Sequence, residues 1–285
     1  MRQREIGVGI SIITIFLVIV GSSCSSEPAR LILATTTSTY DSGLLDEILP
    51  DFEARNSAQV DIVAVGTGQA ISLGERGDAD VLLVHDQEKE QAFVEAGFGS
   101  ERIPVMYNDF IIVGPLEDPA GIAGLQDATK AFKEIALNMT AFVSRGDESG
   151  THSKEMKIWD MAGINPDPSS NWYYAIGQGM GETLQFAQES KAYTLVDRGT
   201  YLSLKENLGD LMVVVGGSKI ENNTDPNLIN EYSVIPVIPS GSVTGPSALA
   251  EAFAEWLVSK ETQEKIADYM KHNLPLFIPL ANHQP

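Results

Sequence analysis

The stretch Ser144–His152, SRGDESGTH, sets one arginine, two acids, three hydroxyl side chains and a histidine around two glycines. Three chemistries use such residues: a serine nucleophile with a histidine base, an Arg-Gly-Asp adhesion loop, or a cradle for a small oxyanion. A nucleophile elbow reads Gly-x-Ser-x-Gly, yet Asp147 stands two before Ser149, and no acid is placed to orient His152 from its far side. The adhesion tripeptide is a three-letter match with no supporting context. The cradle reading uses every donor in the stretch, and Arg145 supplies a charged fork suited to oxyanions.

Two further stretches have the same character: TTTS at Thr35–Ser38 and GTG at Gly66–Gly68. Each follows a strand-like apolar run and opens a helical pattern. Helix N-termini carry free N–H groups and a partial positive charge, so hydroxyls and glycines there bind anions. Any one such loop is explained by capping alone. Three at equivalent strand ends make an anion site the better reading. Asp147 is assigned to orienting Arg145 through an ion pair, and Glu148 to complementing the helix dipole. No metal or cofactor is expected, because His85, His152, His272 and His283 are scattered and the acids of GDADVLLVHD lack calcium-loop spacing. Asp80 decides between anions: in the cleft it would accept the proton of hydrogen phosphate, whereas a donors-only site suits a proton-free dianion. It is read as a partner of loop backbone near Gly66 or Gly77. Trp159, Trp172 and Trp256 are read as packing residues.

Positioning these loops requires alternating strands and helices. RLILA, QVDIVAV, DVLLVH and FIIVGP alternate with helical patterns, and the order repeats through AFVSR, AYTLVD and LMVVVGG, ahead of YSVIPVIP. This predicts an α/β fold of two lobes, each a mainly parallel sheet flanked by helices, with ligands at the carboxyl ends of the strands. Extended segments near 107–115 and 231–239 join the lobes, giving 30–112 and 236–285 as the first lobe and 113–235 as the second. A cleft lies between them. One long amphipathic helix is expected from about Ser247, with Leu249, Phe253, Trp256 and Leu257 on one face.

The chain opens with two arginines, an apolar run from Ile6 to Val20, small residues and the single cysteine, Cys24. This is the pattern of an export signal over 1–23, and it resembles a lipoprotein lipobox, from which Gly21 departs. Cys24 is then the lipidated first residue of an extracytoplasmic chain. The formal charge of −20 excludes a nucleic-acid partner, and 43% hydrophobic residues fill sizeable cores.

TTTSTYDSGLL, VGTGQAISLGERGDADVLLVHD, VMYNDFIIVGP and SRGDESGTH closely resemble the tungstate-binding proteins of ABC transporters, the TupA family, over nearly the whole mature chain. RGDESGT is also similar to the arginine-to-SGT segment of phosphate-binding proteins. The resemblance implies the type II periplasmic-binding fold, closing over tungstate without covalent chemistry. By position it implies Thr36 and Ser38 from the first loop, Thr67 from the second, and Arg145, Ser149, Gly150 and Thr151 from the third as ligands. It implies a membrane permease with its ATPase as partners, a monomeric receptor, and molybdate or phosphate as alternative ligands.

Overall fold

The computed structural model describes residues 28–239, 245–271 and 273–281. The export segment with Cys24, and His272 and His283, lie outside them. Among the described residues no helix is long and apolar enough to cross a membrane.

The first series of elements is β1 (Ala29–Thr36), α1 (Thr37–Asp41), α2 (Leu44–Asn56), β2 (Ala58–Val65), α3 (Thr67–Arg76), β3 (Val81–Val84) and α4 (Gln87–Glu95). The long strand β4 (Ile103–Pro115) leads to α5 (Ala128–Leu137), β5 (Phe142–Ser144), α6 (Gly150–Met161), β6 (Tyr173–Ala175), α7 (Met180–Glu189), β7 (Thr194–Asp197), α8 (Arg198–Leu204) and β8 (Leu211–Val215). The chain returns through β9 (Ile229–Pro236) to α9 (Ala248–Leu257) and α10 (Lys260–Asp268), and ends in the short strands β10 (Met270–Lys271), β11 (Leu274–Pro275) and β12 (Ile278–Pro279).

In the first lobe the strand order is β12-β4-β9-β3-β1-β2, with β1 parallel to β2 and β3, and β9 antiparallel to β3 and β4. In the second lobe the far half of β4 pairs with β7 and β8, and β5 runs parallel to β6. Strand periodicity sends alternate residues to opposite cores. Leu31, Leu33, Val81 and Leu83 pack under α2 and α9, whereas Ala34, Leu82 and Val84 face the α3 side with Ala70, Ile71 and Phe93. In β4, Phe110 and Ile112 join one second-lobe core and Ile111 and Val113 the other. Sheets covered on both faces define a doubly wound α/β fold.

The ladder of β4 passes from one lobe to the other between Asp109, which pairs with Ile229, and Phe110, which pairs with Asp197. These crossings come before the 112/113 and 235/236 boundaries read from the sequence. The whole of β9 belongs to the first sheet, and Pro236 ends the strand rather than marking the crossing. At this hinge Arg198 grips Asp109 with Nε and Nη2 at 2.8 and 2.5 Å, and donates to the carbonyls of Gly216 and Gly217. Gly216 has φ +103°, and a Cβ there would stand 2.8 Å from Ile111 Cγ2, so only glycine fits.

The single helix expected from Ser247 is two helices. The first begins where expected, with Ser247 as its N-cap accepting from Ala250 N. Ser259 then interrupts the run: its Oγ donates to Trp256 O at 2.7 Å and accepts from Thr262 N, closing one helix and opening the next.

Candidate anion-binding cleft

The three hydroxyl-rich loops meet. Thr36, Ser38, Thr67, Arg145, Ser149, Gly150 and Thr151 all line one interlobe cavity of about 400 Å³, which adjoins an outer cleft of about 1080 Å³. Strands β1, β2, β3 and β5 deliver their carboxyl ends here, so the loops converge because the sheets do.

In the first lobe Thr36 is the N-cap of α1, accepting from Thr39 N at 3.3 Å, and its Oγ1 lies 3.1 Å from Ser38 Oγ. Thr35 is turned away, donating to Leu83 O. Gly66 caps α3, and a Cβ on Gly66 or Gly68 would meet nothing within 4 Å, which leaves the backbone open to a ligand. In the second lobe Ser149 is the N-cap of α6, accepting from His152 N. The hydroxyls of Thr67 and Thr151 have no hydrogen-bond partner among the described residues.

Arg145 leads into this helix start. Its Nη2 donates to Asp147 Oδ2 at 2.6 Å, the expected ion pair, while its Nε is buried with no partner. A buried donor without an acceptor is costly unless a ligand supplies one. Gly146, with φ +60°, makes the turn between them, its N–H donating to Ser144 Oγ. Asp147 is held below the usual carboxylate range: partial burial opposes this, and the hydrogen bonds from Ser149 together with the Arg145 charge outweigh it. Behind the loop lies Glu155, fully enclosed, with Oε1 accepting from Trp159 Nε1 and Tyr173 OH. Burial pushes its carboxyl up to about 7, against the hydrogen bonds from Ser144, Tyr173 and Trp159.

Sequence reasoning missed the cavity floor. It is made of His85 at the end of β3, Asn108 and Phe110 of β4, and Asn230 and Tyr232 of β9. Asn230 Nδ2 donates to Asn108 Oδ1 at 2.8 Å and to Tyr232 OH, tying the two crossing strands together. His85 Nε2 stands 3.2 Å from Thr36 Oγ1. Burial chiefly pushes His85 down to about 4, with the Lys154 charge adding to it and Asn230 and Asp86 opposing. Its position at a strand's carboxyl end was a usable signal; the asparagines gave none, because which residues of a long strand face a hinge depends on where the ladder changes partner. Asp197 and Asp41 also line the cavity, Asp197 as the cap of α8.

Asp80 lies at the opposite end of β3, where Oδ2 accepts from Ile32 N at 2.8 Å. Its role is to hold backbone, as expected, though the backbone is that of β1 rather than the loops near Gly66 or Gly77. Nor do Ser149 and His152 form a nucleophile and base. His152 Nδ1 accepts from Glu148 N at 3.0 Å, and Ser149 Oγ meets the backbone N–H of His152 rather than its ring. Glu148, expected to serve the helix dipole, is held at φ +60° with its N–H on that ring. Among the described residues no cluster of His, Cys, Asp and Glu is suited to a metal. Trp159 lies in a core as expected, with Trp172 packed against it, and Trp256 packs against Phe52 and Phe253.

Two doubly wound lobes joined by crossing strands, with helix N-termini and an arginine converging on the cleft, define a solute-binding protein for small anions. The chain matches the PBP superfamily domain over residues 23–261. It is 48% identical over 255 residues to the tungstate-binding protein TupA of Peptoclostridium acidaminophilum, covering 88% of this chain and 86% of that one. Among solved structures, the tungstate-binding protein TupA from Desulfovibrio alaskensis G20 superposes with a TM-score of 0.80 at 42% identity, over 88% of this chain and 99% of that one. The tungstate ABC transporter structure from Geobacter sulfurreducens gives 0.70 at 46% identity, over 84% and 98%. The chain belongs to the PBP superfamily and, within it, to the TupA family of tungstate-binding proteins.

Proposed function

We propose that this chain captures tungstate, as the proton-free dianion, between its lobes and hands it to an ABC importer's permease and ATPase, without catalysing a reaction and without a cofactor. The observation that carries the reading is convergence. Unpaired hydroxyls of both lobes and Arg145, whose Nε is buried without a partner, line one cavity. A tetrahedral dianion accepts from all of them, and bridging Thr67 to Arg145 and Thr151 favours the closed arrangement of the lobes. Thr36, Ser38, Ser149 and the backbone at Gly150 complete the ligand set, with Asp147 holding the arginine. Asp197 and Asp41 work against any anion, and the positive charges of Arg145 and Lys271 in the same lining offset them.

Isothermal titration of the soluble mature chain against tungstate, molybdate, sulfate and phosphate tests this. Tungstate should rank first and molybdate next; hydrogen phosphate matches them only if its proton reaches Asp41 or Asp197, the carboxylates of the lining. Tight phosphate binding that Asp197→Asn abolished would make the chain a phosphate receptor instead. The receptor acts as an extracytoplasmic monomer held at the membrane by lipidated Cys24. Intact mass of the processed protein should show acyl chains on that residue, and Cys24→Ser should release it.

A further inference from the structure

The oxygen of Thr36 is crowded. A hydroxyl has one proton and two acceptor positions. Around Thr36 Oγ1 stand four protein groups: Thr39 N at 3.3 Å, Thr39 Oγ1 at 2.6 Å, Ser38 Oγ at 3.1 Å and His85 Nε2 at 3.2 Å. Where the proton of Thr36 points therefore depends on what its neighbours give. If His85 Nε2 is bare, it competes for that proton and leaves lone pairs facing the cavity, which repel an oxyanion. If Nε2 carries hydrogen, it fills an acceptor position of Thr36 and leaves the threonine proton for the ligand.

We propose that His85 is a positioning residue that donates Nε2–H to Thr36 and thereby makes Thr36 a donor to the bound anion. The inference rests on the tungstate-cleft reading above and deepens it. The imidazole is held in place from two sides. Its ring packs on Tyr232 at 4.8 Å between centroids, and its Cε1 edge faces Gly150 across the cleft, where an added Cβ would stand 3.5 Å away. The ring is neutral near pH 7 because burial pushes it down to about 4, so it has a single N–H and the choice of tautomer decides the outcome. The same arrangement adds selectivity. With its acceptor positions filled by the Thr39 hydroxyl at 2.6 Å and by His85, Thr36 cannot take the proton of hydrogen phosphate.

Two measurements test the assignment. In the tungstate-bound parent with nitrogen-15-labelled histidine, the His85 signals should report hydrogen on Nε2; hydrogen on Nδ1 alone overturns the proposal without any substitution. Calorimetry on variants supplies the second. A glutamine amide nitrogen can stand where Nε2 does, so His85→Gln should bind tungstate within about threefold of the parent, whereas His85→Leu should lose roughly tenfold or more. In a Thr36→Val background, His85→Leu should add no further loss, because its effect runs through Thr36. A ring that merely fills space predicts leucine at least as good as glutamine, and equal or reversed effects would overturn the proposal. Failure of the parent itself to bind tungstate would instead sink the functional reading.

Discussion

At the scale of single residues, Arg145 brings the cavity a full positive charge, beside that of Lys271, and a buried donor without a partner. Asp147 engages Nη2, and Nε is buried without a partner. Removing a buried partner of a charged hydrogen bond costs roughly 2–5 kcal/mol, and about 1.4 kcal/mol is tenfold. Arg145→Ala should therefore weaken tungstate binding by about thirtyfold or more in a calorimetric titration. Arg145→Lys should restore little, because a point charge cannot reproduce the guanidinium fork. Thr67→Val and Thr151→Val each delete one donor at nearly constant volume and should each cost roughly 1.5–3 kcal/mol of binding. Valine variants that bind like the parent would reduce these hydroxyls to lining. Most of this set was legible in the sequence, because loop donors at helix starts carry their chemistry in their residue types. His85 was not, since a lone histidine is weighed for metals or catalysis, and its partner Thr36 is far away along the chain.

At the scale of elements, alternating strands and helices were legible from hydrophobic periodicity, and so was their convergence at strand carboxyl ends. Two features were not. The break between α9 and α10 rests on Ser259, whose hydroxyl serves both helices while the apolar spacing continues past it. The point where β4 crosses rests on which neighbour each half of one strand pairs with, a choice that leaves no mark in residue type. The sequence does contain the acid that anchors this crossing. Asp109 is fully buried against Arg198 and also accepts from Asn223 Nδ2 at 2.8 Å. Asp109→Ala leaves a guanidinium buried without its counter-charge, so denaturant unfolding should show a loss of about 3–5 kcal/mol. The paired change Asp109→Leu with Arg198→Met should recover much of it, because replacing both partners removes the uncompensated charge. A small loss in the single variant would mean that solvent reaches the hinge.

At the scale of the whole molecule, two enclosed titrating groups near the cleft give stability opposite dependences on pH. His85 falls from an ordinary 6.5 to about 4. Between those values the unfolded chain binds the extra proton, so this contribution is complete above pH 6.5 and is lost as pH falls toward 4. Glu155 rises from 4.5 to about 7. There the folded chain holds the extra proton, so its contribution is complete below pH 4.5 and is lost as pH rises through 7. Each amounts to something on the order of 3 kcal/mol, and across the shared window they largely cancel. Removing one exposes the other. For His85→Gln, the melting temperature relative to the parent should fall by several degrees between pH 4 and 6.5, the parent's histidine penalty having vanished by the upper value. For Glu155→Gln, whose amide oxygen can still accept from Trp159 and Tyr173, it should climb by a similar amount between pH 4.5 and 7. Thermal melts of the ligand-free parent and both variants across that range read the two slopes directly. Slopes of the same sign, or two flat differences, would mean that these side chains are solvated in the folded protein and that the interlobe floor is wetter than its packing implies.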